Sequence, residues 1–492
     1  MTKLSKKFLI AGAAPLALAL SGCMGGGAVP SASTPITTSE AQQGAEYHPQ
    51  LLAQFGGAMS GSQAQYVQQV GKNIAVQSGL GNARDSFTVS LLNSPVNNAF
   101  AVPGGYIYTT RQLVTLMNNE AELAGVMGHE VGHVAARHSQ RRQQTAQRNS
   151  ILGVLGAIGS SILLGDSSVG QSVSRGFLQG SQLLTLSFSR SQETQADDLG
   201  IQYLTSAGYD PRAMGTVLAS LAAQNSLDAQ LQGRDNASVP EWASTHPDPA
   251  SRVQRALSAA QGLPGSVTNR DTFLQRIDGL LYGDDPEQGV IEGSDFIHPE
   301  LRLTFTAPQG FYMINSSSAV SVNGQSGQAQ LTLAPYNGNL DSYIRQQFTE
   351  LGGENNNLAP QSIETTTVNG IRAAYGQARV NNGNSQVDVT IFAYEFANDR
   401  AYHFAAITPA GRANTFSTMF RSMRRISASE AARVIPRKLD VVTVRRGNTV
   451  AGLARRMAYD DGQVARFRVL NGLSADEGLI AGQKVKIVVR GR

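Results

Sequence analysis

Apolar positions recur at helical spacing from Ala45 to Gln77, and the chain then changes to a strand-like run at Ser86 to Leu92. Two short strand patterns, Ala99 to Val102 and Tyr106 to Thr109, flank Pro103-Gly104-Gly105, a hairpin-type turn signal. Asn119 then reads as a helix N-cap, with Glu122 placed to complete a capping box, so a helix is predicted whose centre runs from Ala121 to His138. Ile151 to Leu164 is a Gly-rich apolar run of fourteen residues. Such a run is shorter than the ~20 residues a membrane span requires; a buried helix is the first reading, a lipid-touching or cleft-covering segment the second. Helical periodicity resumes around Arg190 to Asp197 and stops at Ala207-Gly208, with Pro211 just beyond, and Val217 to Leu231 forms a further amphipathic helix.

From Gly262 to Phe296 the chain turns polar and rich in Gly, Asp and Asn, which reads as a linker over 263–298. Residues 299–427 alternate at strand period (Leu301 to Phe305, Ala329 to Leu333, Val387 to Phe392), with helices predicted at Leu340 to Leu351 and Ala413 to Met423. His403 falls in one of those strand-like runs and reads as structural. The tail, 438–490, shows a strand, two short helices (Ala451 to Met457, Gln463 to Leu470) and a second strand. The fold class is therefore α+β and multidomain: a mainly helical region over 45–262, an α+β domain over 299–427 whose function the residues do not indicate, and a small βααβ module.

The first residues change the picture by naming a compartment. Lys3, Lys6 and Lys7 precede an apolar stretch, Phe8 to Leu20, and Leu20-Ser21-Gly22-Cys23 is similar to the bacterial lipobox. Residues 1–22 are expected as a cleaved lipoprotein signal and 23–44 as a tether, flexible where Gly, Ser, Thr and Pro dominate. Cys23 is the only cysteine among 492 residues, so no internal disulfide forms and its thiol is free for lipidation. Met24, where similar lipoproteins retained in the inner membrane carry Asp, points to the outer membrane, facing the periplasm. The formal net charge of +4 is unevenly spread. Residues 432–492 hold thirteen Lys or Arg against five Asp or Glu, a surplus of +8 that leaves −4 elsewhere. An exported basic tail suits a membrane surface or acidic cell wall rather than nucleic acid.

The chemistry sits in His129-Glu130-x-x-His133. Histidines four residues apart on a helix differ by about 40° in azimuth, so both can grip one metal ion, with Glu130 beside the same face to hold a water. The bland alternative is a pair of core histidines. Some sixty residues on, Glu193 and Asp197 share a helix face at i, i+4. A hydrolytic zinc site needs a third protein ligand and an open position, which Glu193 can complete, while Asp197 can orient a ligand histidine from behind. The extension that would place Gly at 136 and His at 139 is absent, since Ala136 and Ser139 stand there. His138 lies nine residues after His129, about 180° round an ideal helix, and is expected to face outward.

With Asn98-Ala99-Phe100-Ala101-Val102-Pro103-Gly104-Gly105 before the helix, and Ser244-Thr245-His246-Pro247 and Arg252 after it, the chain resembles metallopeptidase family 48, the HtpX and CAAX-prenyl endopeptidase type, over roughly residues 45–262. The resemblance implies a gluzincin fold, one Zn2+ per chain held by His129, His133 and Glu193, and endopeptidase activity with Glu130 as general base toward a zinc-activated water. It implies that the strand bearing Asn98, Ala99 and Phe100 lines the cleft and pairs with substrate backbone; a plain structural hairpin is the alternative. It also places His246 at the mouth of the site, as a gate or an oxyanion donor. Arg252 is either a further oxyanion stabiliser or the partner of an acidic group. The tail looks like a LysM module, with Asn448 where Asp is usual, which implies binding to peptidoglycan and a unit separable from catalysis. Unfolded or misassembled envelope proteins are the expected substrates; the competing function is a non-catalytic, lipid-anchored, wall-binding scaffold with a structural metal.

Overall fold

The computed structural model describes residues 34–81, 84–141, 188–231, 246, 249–352, 358–382 and 385–491. Cys23 with its signal, and the apolar run Ile151 to Leu164, lie outside the described residues.

The long helical pattern near the start resolves into two helices. α1 (Thr38–Gln54) begins from a capping box in which Thr37 and Glu40 satisfy each other's backbone N–H groups. It ends before Gly56 and Gly57, both at positive φ, and α2 (Ser62–Ala75) then buries Val67, Val70 and Ile74. The strands β1 (Thr88–Leu92), β2 (Ala99–Val102) and β3 (Tyr106–Thr110) form a sheet of order β1-β3-β2. β3 is antiparallel to β2 and parallel to β1, so β2 is an edge strand. Among the described residues there follow α3 (Arg111–Leu116), α4 (Glu120–Ala135), α5 (Arg190–Ser206), α6 (Ala213–Leu231) and α7 (Pro249–Ala259).

α4 is the central element; of its sixteen residues only Val134 is not buried. Asn119 caps it by accepting from the Glu122 N–H, while the Glu122 carboxylate accepts from the Asn118 N–H at 2.7 Å rather than closing a box on the cap residue itself. α4 and α5 cross closely because glycines face the contact. A Cβ on Gly132 would stand 3.0 Å from the Ala196 carbonyl, and one on Gly128 would stand 3.3 Å from the Cα of Gly200. That approach brings the two halves of the predicted metal site within reach of each other.

The segment read as a linker is folded instead. α8 (Arg270–Ile277) buries Phe273, Leu274 and Ile277 in the same core as α2 and α4. β4 (Leu281–Tyr282) pairs with the first strand of the tail. β5 (Val290–Glu292) and β6 (Asp295–His298) join β7 (Leu303–Thr306) and a two-residue strand, Arg424–Arg425, in a four-stranded sheet. The polar composition conceals a short amphipathic pattern: Phe273, Leu274, Ile277, Leu280, Val290 and Phe296 are buried, while Leu263 and Val267 stay exposed.

Beyond it stands a seven-stranded antiparallel sheet. Its strands in chain order are β8 (Tyr312–Asn315), β9 (Val320–Gly324), β10 (Gly327–Pro335), β11 (Ile363–Val368), β12 (Ile371–Asn382), β13 (Ser385–Ala397) and β14 (Arg400–Pro409). The spatial order is β11-β12-β13-β14-β10-β9-β8. α9 (Leu340–Gly352) covers one face, and α10 (Ser417–Ser422) belongs to the core on the other. His403 is buried in this sheet, 2.8 Å from the Tyr343 hydroxyl, and burial holds its pKa down at about 4.

The tail has the β-α-α-β order: β15 (Arg437–Thr443), α11 (Val450–Ala454), α12 (Gln463–Leu470) and β16 (Lys484–Arg490), the two strands antiparallel. It is not the separable unit its sequence suggests. Leu439, Phe467, Leu470, Val485, Ile487 and Val488 belong to the same hydrophobic cluster as the buried residues of α2, α4 and α6. Lys486, wholly buried, donates from Nζ to the carbonyls of Thr115, Leu116 and Met117 at 2.8, 3.2 and 2.5 Å. These carbonyls lie at the C-terminal end of α3, where Asn118 Nδ2 also donates to that of Leu116 at 3.3 Å, so a residue of the tail caps a helix of the first region. Burial pushes the Lys486 ammonium down to about 7, with the Glu122 carboxylate opposing it. Among the described residues no helix is long and apolar enough to cross a membrane.

Candidate metal centre and active site

The residues predicted from two distant motifs meet at one point. His129 Nε2 and His133 Nε2 lie 3.0 Å apart, and the Glu193 carboxylate stands 3.5 Å from the former and 3.4 Å from the latter. His246 Nδ1 lies 3.3 Å from His129 Nε2 and 3.2 Å from Glu193 Oε1. One ligand atom from each of the four residues lies within 4.8 Å of the others, and all four residues are buried. Ligands ~2.0–2.1 Å from a tetrahedral zinc are separated by about 3.3 Å, so the spacing of these donors suits that ion. Three imidazoles and one carboxylate are also a zinc-type donor set. His246 thus stands as a fourth potential donor beside the three candidate ligands read from the sequence.

Asp197 stands where the sequence placed it, behind His129, with Oδ1 2.9 Å from Nδ1. This leaves Nε2 of His129 for a metal. Arg252 does not point toward a reacting carbonyl. Its Nε and one terminal nitrogen bind the Asp197 carboxylate at 2.8 and 2.5 Å, and the other donates to Glu193 Oε2 at 2.6 Å. Of its two readings, the geometry favours the partner of acidic groups over the oxyanion stabiliser. Burial raises the Asp197 carboxyl, but the hydrogen bonds from His129 and Arg252 outweigh it and hold the group at about 2. For Glu193, burial is likewise outweighed, by His246, His133 and His129, and the carboxyl lies far below its usual range. Burial pushes His133 well down, which keeps its ring neutral and able to ligate.

Glu130 is 2% exposed and its Oε1 makes no hydrogen bond among the described residues, although His246 Nε2 lies 3.5 Å away. Burial raises its pKa, the property of a carboxylate that takes a proton readily. Val126, Met214, Val217, Leu218 and Leu221 line the space beside His129 and Glu130, so the wall here is apolar.

The edge strand β2 packs on α4, its outer backbone edge unpaired by any described strand. The Asn98 side-chain amide is fully buried with neither polar atom hydrogen-bonded among the described residues. Ala99 pairs with Thr109. The Phe100 ring stacks on Tyr108 at 4.7 Å and contacts Phe55 at 5.0 Å. The Phe100 ring is thus held in the aromatic cluster with Phe55 and Tyr108, half-buried.

His138 departs most from the sequence reading. It is buried, and its Nδ1 lies 2.8 Å from Nδ1 of His133. The projection from an ideal helix fails because α4 ends at Ala135 and Arg137 takes a positive φ of 50°, which turns the chain back. Nothing in the apolar pattern marks that turn.

Residues 61–260 match the model of peptidase family M48, and residues 442–488 match that of the LysM domain. The chain carries an M48 peptidase domain and a LysM domain. The beta-barrel assembly-enhancing protease of Escherichia coli (strain K12) is 34% identical over 215 residues, 43% of this chain and 42% of that protein. The mitochondrial metalloendopeptidase OMA1 of Schizosaccharomyces pombe is 28% identical over 237 residues, 47% of this chain and 64% of that one. Metalloprotease LoiP of Escherichia coli (strain K12) is 30% identical over 170 residues, 34% of this chain and 60% of that one. The matched part spans less than half of the first relative's length. All three matches are of about the length of the M48 match, residues 61–260.

Proposed function

We propose that this chain is a zinc metalloendopeptidase of the bacterial cell envelope that hydrolyses misfolded or stalled envelope proteins. The observation that carries the reading is the buried convergence of His129, His133 and Glu193 with Glu130 alongside, its Oε1 without a hydrogen-bond partner. A purely structural metal site has no use for a buried carboxylate base at its side, which argues against the scaffold reading. Zinc held there supplies Lewis acidity toward a carbonyl oxygen and an acidified water. Asp197 and Arg252 set the tautomer of His129 and the pose of Glu193, Glu130 takes the proton and returns it to the leaving amine, and β2 offers backbone groups to an extended substrate. Recognition through main-chain hydrogen bonds suits a protease of unfolded chains, because side-chain sequence matters little to it. The test is zinc content together with casein digestion, with and without a chelator; zinc-replete protein that leaves casein intact refutes the proposal.

His246 is assigned as a gate. Its Nδ1 occupies the fourth donor position, where it excludes both water and a substrate carbonyl, and its ring must move for turnover. His246→Ala is expected to cleave unfolded substrate at an equal or higher rate and with less selectivity. A fall in kcat of ~10²-fold with zinc retained would identify an oxyanion donor instead.

For location, the proposal is an outer-membrane lipoprotein facing the periplasm, anchored through lipidated Cys23 and contacting peptidoglycan through the LysM domain. Each acyl CH₂ buried in the bilayer contributes ~0.8 kcal/mol, so the several chains of a lipoprotein hold it firmly. Cys23→Ser is expected to move the protein from the membrane pellet to the soluble periplasmic fraction. Retention in the pellet would reveal a different anchor.

A further inference from the structure

We propose that His138 and Gln195 form a hydrogen-bonded relay that positions the metal ligand His133, so that the two histidines of the motif are held by unlike partners. The inference rests on the metallopeptidase reading and goes beyond it. His138 Nδ1 lies 2.8 Å from His133 Nδ1, and His138 Nε2 lies 3.0 Å from Gln195 Oε1. Both histidines are buried. The turn that delivers His138 is itself anchored. Arg137, at its positive φ, donates to Glu40 Oε1 at 3.2 Å and to the carbonyls of Ala135 and Thr34 at 3.0 and 2.8 Å. Phe188 stacks on the His133 ring at 4.0 Å and fixes its plane from the other side.

The direction of the relay follows from the chemistry of its ends. A metal on His133 Nε2 requires the lone pair there, hence the proton on Nδ1. His138 Nδ1 must then accept, which puts the His138 proton on Nε2, and that proton needs an acceptor, the Gln195 amide oxygen. The reverse order, with the amide nitrogen donating to His138, ends with a proton on the metal side of His133 and is incompatible with ligation. One orientation of the Gln195 amide thus selects the ligating tautomer two rings away. His129, in contrast, is backed by the carboxylate of Asp197, an anion that raises ligand basicity. His133 is backed by neutral groups that orient it and add no charge. Gln195 stands two residues from Glu193 on α5, so one helix supplies both a ligand and the end of the relay.

The experiment is a zinc affinity measurement on the full-length protein by competition with a chromophoric chelator, paired with the electronic spectrum of the Co(II)-loaded form. His138→Phe keeps an aromatic ring but removes the acceptor, and loss of such a partner is expected to weaken zinc binding by ~10–100-fold and to shift the Co(II) bands. His138→Asn places an amide oxygen where Nδ1 stood and is expected to restore most of the affinity. Zinc affinity of a folded His138→Phe within about twofold of wild type, far below the range for an outer-shell partner, overturns the relay. If His138→Phe fails to fold, Gln195→Leu decides: weaker zinc binding with a shifted Co(II) spectrum supports the relay, and no change in either overturns it. Failure of the wild type to bind zinc stoichiometrically defeats the peptidase reading and the relay together. Tight wild-type binding matched by the variants defeats the relay alone.

Discussion

Glu130→Gln is expected to retain a full complement of zinc and to lower the kcat for casein by about 10³-fold, the middle of the range for losing a positioned general base. The side chain is close to isosteric and lies outside the ligand set, so the metal site keeps its shape. What is lost is the ability to accept a proton. Burial makes Glu130 a stronger base than a solvated glutamate, and its Oε1 makes no hydrogen bond that would compete for an incoming proton. His133→Ala and Glu193→Ala are expected to fail differently. Each removes a donor from a buried set, and Glu193→Ala also leaves Arg252 with only Asp197 of its two acidic partners. Those variants should lose zinc and thermal stability along with activity. Metal content measured beside turnover separates the two classes. Near wild-type cleavage by zinc-replete Glu130→Gln would refute the proposed mechanism.

Removing residues 432–492 is expected to unfold or severely destabilise the peptidase domain, rather than only to release the protein from peptidoglycan. β15 and β16 pack on α8, and α12 packs on α3 and α6, so the deletion exposes apolar surface that the M48 core buries. It also strips Lys486 from the carbonyls of Thr115, Leu116 and Met117 one turn before the metal helix. Each buried carbonyl left without a donor costs ~1–3 kcal/mol. A single substitution isolates the effect. Phe467→Ala, at a position with no exposed surface, is expected to cost ~3–5 kcal/mol. For a cooperative unit of this size that is a fall in Tm of roughly 6–20 °C. Calorimetry of the two variants, with zinc content and casein cleavage on the same samples, checks the expectation. A truncated chain with wild-type Tm and activity would mean that the two domains are independent. Loss of peptidoglycan pull-down on truncation is therefore not by itself a measure of glycan binding, because the same deletion removes part of the peptidase core.

The sequence by itself singled out His129, His133 and Glu193 as candidate ligands, because the histidine pair and the Glu193–Asp197 pair each sit at a spacing that only a helix makes meaningful, and His246 joins them only in the fold. His129 and His133, and Glu193 and Asp197, are each one helical turn apart, and one turn places two side chains on one face whatever surrounds them. The βααβ order of the tail and the strand period of the sheet were legible for the same reason: periodicity is a local property. Contacts across the chain decided the rest. Only the close crossing of α4 and α5, allowed by Gly128, Gly132 and Gly200, shows that the two motifs share a point in space. Only the left-handed turn at Arg137 brings His138 back beneath His133, against the azimuth an uninterrupted helix would give it. Arg252 had two readings until its hydrogen bonds to Asp197 and Glu193 appeared. The tail looked separable because its own pattern is complete; Lys486 reads as one more exported basic residue until its ammonium is found buried against the end of α3. Burial of a charge depends on what a distant part of the chain presents to it, and no local pattern records that.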